Sequence, residues 1–103
     1  MAGMDERGKA FENKWAHDAD LRFKVEARRN RMVGLWAAAE KGLSGEAAED
    51  FAAAVIAADF QEAGDEDVFR KLRSELDASV SDAVIREKMR ECLNAAVAEI
   101  AKS

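Results

Sequence analysis

Three short breaks, at Gly42–Gly45, Gly64–Asp67 and Ser79–Ser81, divide a chain without proline into four helix-compatible pieces. Between the breaks the apolar residues recur at spacings of three, four and seven, the period of a helix and not of a strand. Each break carries helix-end chemistry. Ser44 is placed to cap the second helix, and Gly64 to end it as a C′ residue. Asp65 is placed to start the third, with Glu66 and Asp67 near its positive end, and Asp82 falls in the first turn of the fourth. Abundant alanine, no tyrosine and 36 % charged residues favour the same element. The expected fold is therefore all-α, a small four-helix bundle with a flexible, partly helical N-terminal arm.

The expected helices run over about 18–41, 45–63, 66–78 and 82–101, in a domain spanning 18–103, with the arm over 1–17. At 103 residues the chain has room for one core and no second domain. The stripes nominate that core. Leu21, Val25, Met32, Leu35, Trp36 and Ala39 would supply it from the first helix, and Ala48, Phe51, Ala52, Val55, Ile56 and Phe60 from the second. Val68, Phe69, Leu72 and Leu76 follow from the third, and Ile85, Met89, Leu93, Ala96, Val97 and Ile100 from the fourth, with Cys92 as a small buried hydrophobe.

Phe11 to Trp36 does not sort its residues into a clean apolar face. Phe11 and Trp15 share one side of a helix, yet Lys9, Glu12, Asn13, Lys14 and Asp18 surround them. Ahead of Phe11 the apolar residues are sparse, and Gly3 and Gly8 each weaken a helix by about 1 kcal/mol relative to Ala. The first residues are thus expected to form an arm that orders on a partner, with two aromatics as anchors.

The net charge of −5 argues against general affinity for nucleic acid or anionic membrane. The distribution is segmented. Arg22 to Arg31 holds five bases against Glu26 alone, whereas Glu46 to Asp67 holds eight acids and no base. Lys24, Arg28, Arg29 and Arg31 form a dense patch that could fork onto an anion or nucleotide. Arg28 and Arg31 share one side and Arg29 points elsewhere, so pairing with the acidic second and third helices is the stronger expectation. The single cysteine needs no oxidising compartment, and no run approaches the roughly 18 apolar residues of a membrane span. Cytoplasmic placement follows as the default.

No set of residues adds up to catalysis. His17, Asp18 and Asp20 are crowded into four positions and cannot all face one ion from a helix. Asp59, Glu62, Asp65, Glu66 and Asp67 lack the alternating spacing of a calcium loop, and Gly42-Leu43-Ser44-Gly45 lacks the length and lysine of a phosphate loop. Cys92 has no histidine near it in sequence. The expectation is a protein without cofactor or metal and without enzymatic activity of its own.

Ala10-Phe11-Glu12 through Trp15-Ala16-His17-Asp18, then Phe23-Lys24-Val25-Glu26-Ala27-Arg28-Arg29-Asn30-Arg31 and Gly34-Leu35-Trp36-Ala37-Ala38, carry a resemblance. Asp59 to Lys71 and Ile85 to Met89 continue it in the same order. The sequence is similar to the ATPase inhibitor ζ-subunit family of alphaproteobacterial F-type ATP synthases. That resemblance implies a four-helix fold with an inhibitory N-terminal region. It also implies partners in the catalytic and non-catalytic subunits of the ATPase head, where the arm would enter an interface and block hydrolytic rotation, placing the protein beside the inner membrane without insertion. On this chain the arm contacts would be Asp5, Glu6, Arg7, Lys9, Phe11, Glu12, Lys14 and Trp15. The alternative is a module that senses adenine nucleotide or another anion through Lys24, Arg28, Arg29 and Arg31, with weak or no inhibition.

Overall fold

The computed structural model describes residues 17–58 and 65–102. They form four helices: α1 (Ala19–Glu40), α2 (Gly45–Ala58), α3 (Glu66–Glu75) and α4 (Asp82–Lys102). Residues 59–63 of α2's expected span, with Phe60, and Gly64 after them lie outside the described residues, as does the arm up to Ala16.

The helix ends follow from their residues. Asp18 has extended backbone and its carboxylate accepts from the amides of Asp20 and Leu21, which fixes the start of α1. At the other end Leu43 N–H reaches the Ala38 carbonyl at 2.8 Å and Gly42 N–H the Ala39 carbonyl at 3.0 Å, the paired bonds of a Schellman cap. Gly42 has φ +78°, so the turn requires a residue without Cβ. The Ser81 hydroxyl accepts from Val84 N–H and caps α4. Asp65 precedes α3 without a side-chain cap bond, because its carboxylate is turned to Arg29 instead.

α1 is the centre of the bundle, packing along both α2 and α4, while the short α3 closes against α2 and α4 and touches α1 at fewer places. Two neighbours demand a broad buried stripe. Its spine is Val25, Arg29, Val33 and Ala37, four residues apart, flanked by Asn30, Gly34 and Ala38. The expected stripe from α1 is therefore corrected: Val33, Ala37 and Ala38 are fully buried, Leu21, Met32, Leu35 and Trp36 are half-buried, and Ala39 is exposed. Toward the end of α1 the buried stripe narrows to small residues, Gly34, Ala37 and Ala38. At Gly34 an added Cβ would sit 2.9 Å from Ala52 Cα, so α2 approaches the α1 backbone directly there.

The other three helices bury the residues their stripes nominate. Phe51, Ala52 and Val55 enter from α2, Val68 and Leu72 from α3 with Leu76 beyond it, and Ile85, Met89, Cys92 and Ala96 from α4. Ala48, Ile56, Phe69, Leu93, Val97 and Ile100 are half-buried at the edges. Burial raises the Cys92 thiol's pKa, as suits a core residue. α3 stops at Glu75, short of the expected 78, because Leu76 turns extended and Arg73 gathers the following carbonyls.

Candidate interaction face

The basic block of α1 divides at Arg29. The stripe that carries Val25 and Val33 takes Arg29 with it, leaving that side chain 1 % exposed, while Lys24, Arg28 and Arg31 emerge on an adjacent face. Arg29 Nε donates to Asn30 Oδ1 at 2.7 Å, and Nη1 meets the Asp65 carboxylate at 3.0 Å. Its planar fork thus ties the middle of α1 to the start of α3.

Lys24, Arg28 and Arg31 line one groove of about 690 Å³ whose apolar floor is Phe23, Ala27, Ile56 and Ile100. Two of the cations are already engaged with the bundle. Arg31 makes a two-pronged bond to Glu49 of α2, at 2.6 and 3.0 Å, and Arg28 donates to Glu99 of α4 at 2.7 Å. Each pairing holds its carboxylate below the usual range, chiefly through the hydrogen bond, and raises the arginine. So the block pairs internally: Arg31 with α2, Arg29 with the residue before α3, and Arg28 with α4.

A smaller cavity of about 200 Å³ adjoins the groove, sharing Phe23, Ala27 and Ile56 with it and adding Ala19, Arg22, Glu26 and Asn30. Phe23 stands 54 % exposed beside both. Asn30 is the buried polar residue of this wall; its Oδ1 is taken by Arg29, and its Nδ2 has no hydrogen-bond partner. Sequence reasoning passed over Phe23 and Asn30 as site residues. A signal existed for Asn30, since it sits four before Gly34 on the flank of the buried stripe. Nothing local marked Ile56 and Ile100 as groove residues, because each completes an apolar stripe in its own helix.

The arm residues Asp5, Glu6, Arg7, Lys9, Phe11, Glu12, Lys14 and Trp15 lie outside the described residues. Their chain joins the described part at His17 and Asp18, beside the end of the small cavity that Ala19 closes.

Fold and face together define a small all-α bundle with a cation-rimmed apolar groove along its first helix. The chain belongs to the ATPase inhibitor subunit zeta family, whose model matches residues 1–99. A protein solved by solution NMR is 44 % identical, with a TM-score of 0.74 over 80 % of this chain and 96 % of that one. No curated protein matches in sequence. Among the described residues no helix is long and apolar enough to cross a membrane.

Proposed function

We propose that the chain is a non-catalytic regulatory subunit that inhibits ATP hydrolysis by inserting residues 1–17 between a catalytic and a non-catalytic subunit of an F-type ATPase head. The observation that carries this reading is the family match, which starts at residue 1 and so takes in the arm as well as the bundle. The physics is that of a peptide anchored by aromatics. Phe11 and Trp15 fill apolar pockets in a cleft that opens and closes with each catalytic cycle, and Asp5, Glu6, Arg7, Lys9, Glu12 and Lys14 pair at its rim. The bundle holds the segment at the cleft and takes no part in chemistry. The protein would then reside in the cytoplasm, at the inner membrane only through the ATPase.

The test is ATP hydrolysis by the cognate head with the full chain, with the chain lacking residues 1–17, and with Trp15→Ala. The full chain suppresses hydrolysis and the deletion does not, while circular dichroism of the deletion still shows the bundle. Trp15→Ala weakens inhibition by about 2 kcal/mol, roughly thirtyfold in apparent Kd, as expected of a buried aromatic anchor. Unchanged hydrolysis at saturating full chain would overturn the reading.

A second reading is favoured by the groove itself, which gathers Lys24, Arg28 and Arg31 around an apolar floor. That combination suits an adenine nucleotide, its base on the floor and its phosphates displacing Glu49 and Glu99 from the two arginines. Arg29, held by Asn30 and Asp65, would not take part. Titration with ATP should then move the amide resonances of these residues, and an unperturbed spectrum removes the reading.

A further inference from the structure

We propose that Asp18 is a hinge: its carboxylate holds a one-residue break in an otherwise helical path, and so frees the direction of the preceding chain from the axis of α1. The consequence for inhibition rests on reading residues 1–17 as the inhibitory segment; the hinge itself does not.

The backbone is helical at His17, extended at Asp18 and helical again from Ala19. No residue type there forces a stop, since neither glycine nor proline occurs between Phe11 and Val33. Core packing does not fix the break either, because His17, Ala19 and Asp20 are all exposed. What opposes continuation is the Asp18 side chain. Its Oδ1 accepts from Asp20 N–H at 3.0 Å and from Leu21 N–H at 3.1 Å, two amides that an unbroken helix would direct to the carbonyls of Ala16 and His17. Asp20 in the first turn adds a second negative charge at the positive end of α1, an advantage that exists only while a helix starts here. The Asp18 carbonyl accepts from Arg22 N–H at 2.8 Å, a bond common to the broken and the continuous path. The two arrangements therefore differ by a few bonds around one side chain, and a side-chain cap shifts such a balance about fivefold.

The break decides where Phe11 and Trp15 can point. They stand two heptads ahead of Val25 and Arg29, so one unbroken helix would aim them within about 40° of α1's buried stripe. A chain that turns at Asp18 is released from that register and can take the direction a partner's cleft demands. With the two helical stretches fused, the anchors would be fixed toward the bundle's own side, and a partner would have to break the helix before binding them.

The experiment compares the unsubstituted full chain with Asp18→Ala, Asp18→Glu and Asp18→Asn. Backbone carbon chemical shifts at positions 17 to 21 report helical or extended backbone residue by residue, and the signals of α3 and α4 report the bundle. The hinge predicts an extended shift at position 18 between helical ones in the unsubstituted chain. It predicts a helical shift there in Asp18→Ala, with a new contact between His17 Hα and the Asp20 amide, and a retained break in Asp18→Asn, whose side-chain oxygen still accepts. Should Asp18→Ala lose the bundle signals, Asp18→Glu, which keeps the charge on a better helix former, decides in its place. A helical shift at position 18 in the unsubstituted chain overturns the proposal, and so does an extended one in the Ala or Glu variant, because the carboxylate cap then holds nothing. With the cognate ATPase, Asp18→Ala should raise the apparent Kd for inhibition about tenfold and Asp18→Asn should restore it. Equal inhibition by these chains overturns the directional role. An unsubstituted chain that does not inhibit at all sinks the inhibitory reading, and the shifts at position 18 still decide the hinge.

Discussion

Gly34 and Arg29 show how differently two residues of one helix can be constrained. Gly34 is required by proximity: a methyl there meets the Ala52 backbone, which cannot rotate away as a side chain would. Gly34→Ala gains about 1 kcal/mol of helix propensity but must push α2 outward, and a net loss of about 1–2 kcal/mol is expected from urea denaturation. Arg29 is required by its hydrogen-bonding shape. Arg29→Met keeps the volume but strips partners from Asn30 Oδ1 and Asp65. The expected loss is about 2–3 kcal/mol, below that of a fully buried pair because Asp65 is half exposed and can rehydrate. Asp65→Asn should cost less, and a larger loss there than in Arg29→Met would contradict this ordering.

Among the elements, the link between α3 and α4 gathers most of its side-chain bonds on Arg73. Arg73 donates to the carbonyls of Leu76, Asp77 and Val80 and to the Asp82 carboxylate, so one guanidinium gathers the carbonyls of the turn and the start of α4. Arg73→Lys keeps the charge but cannot reach four acceptors in one plane. Hydrogen exchange should accelerate in Val80 to Ile85 for this variant while the middle of α1 stays protected, and uniform protection would remove Arg73's special role. The break at Ser79–Ser81 was legible from its residues, but the residue that organises it was not. Arg73 looked like one more charge on a short helix, and its acceptors are backbone carbonyls that exist as a cluster only after the chain has turned.

For the whole molecule, ion pairs between helices make stability sensitive to acid. Glu49 and Glu99 tie α1 to α2 and α4, Glu66 ties α3 to Arg86 of α4, and Glu75 receives Lys71 and Lys41. All four carboxyls are held below the usual range by those hydrogen bonds. A depressed folded pKa gives stability that is present above the unfolded value and lost as pH falls through the folded one. Urea midpoints should thus be flat near neutrality and fall steadily below about pH 4.5. Glu49, Glu66 and Glu99 are exposed and Glu75 is partly so, so salt at about 1 M should shrink the pH-dependent part by screening. A midpoint insensitive to both would show that the pairs orient helices without stabilising them.

The sequence by itself determined that the chain is helical and which family it belongs to, because period, cap residues and motif order are all local. It also separated Arg29 from Arg28 and Arg31, since one step along a helix turns a side chain through about 100°. The tertiary structure decided which flank of α1 is buried, because the answer depends on α2 and α4 pressing on two sides and needing Gly34, Ala37 and Ala38 where they meet it. It alone brought Ile56 and Ile100 to the floor beneath Lys24, Arg28 and Arg31. A groove is made by three helices at once, and no single helix's sequence states what its neighbours leave uncovered.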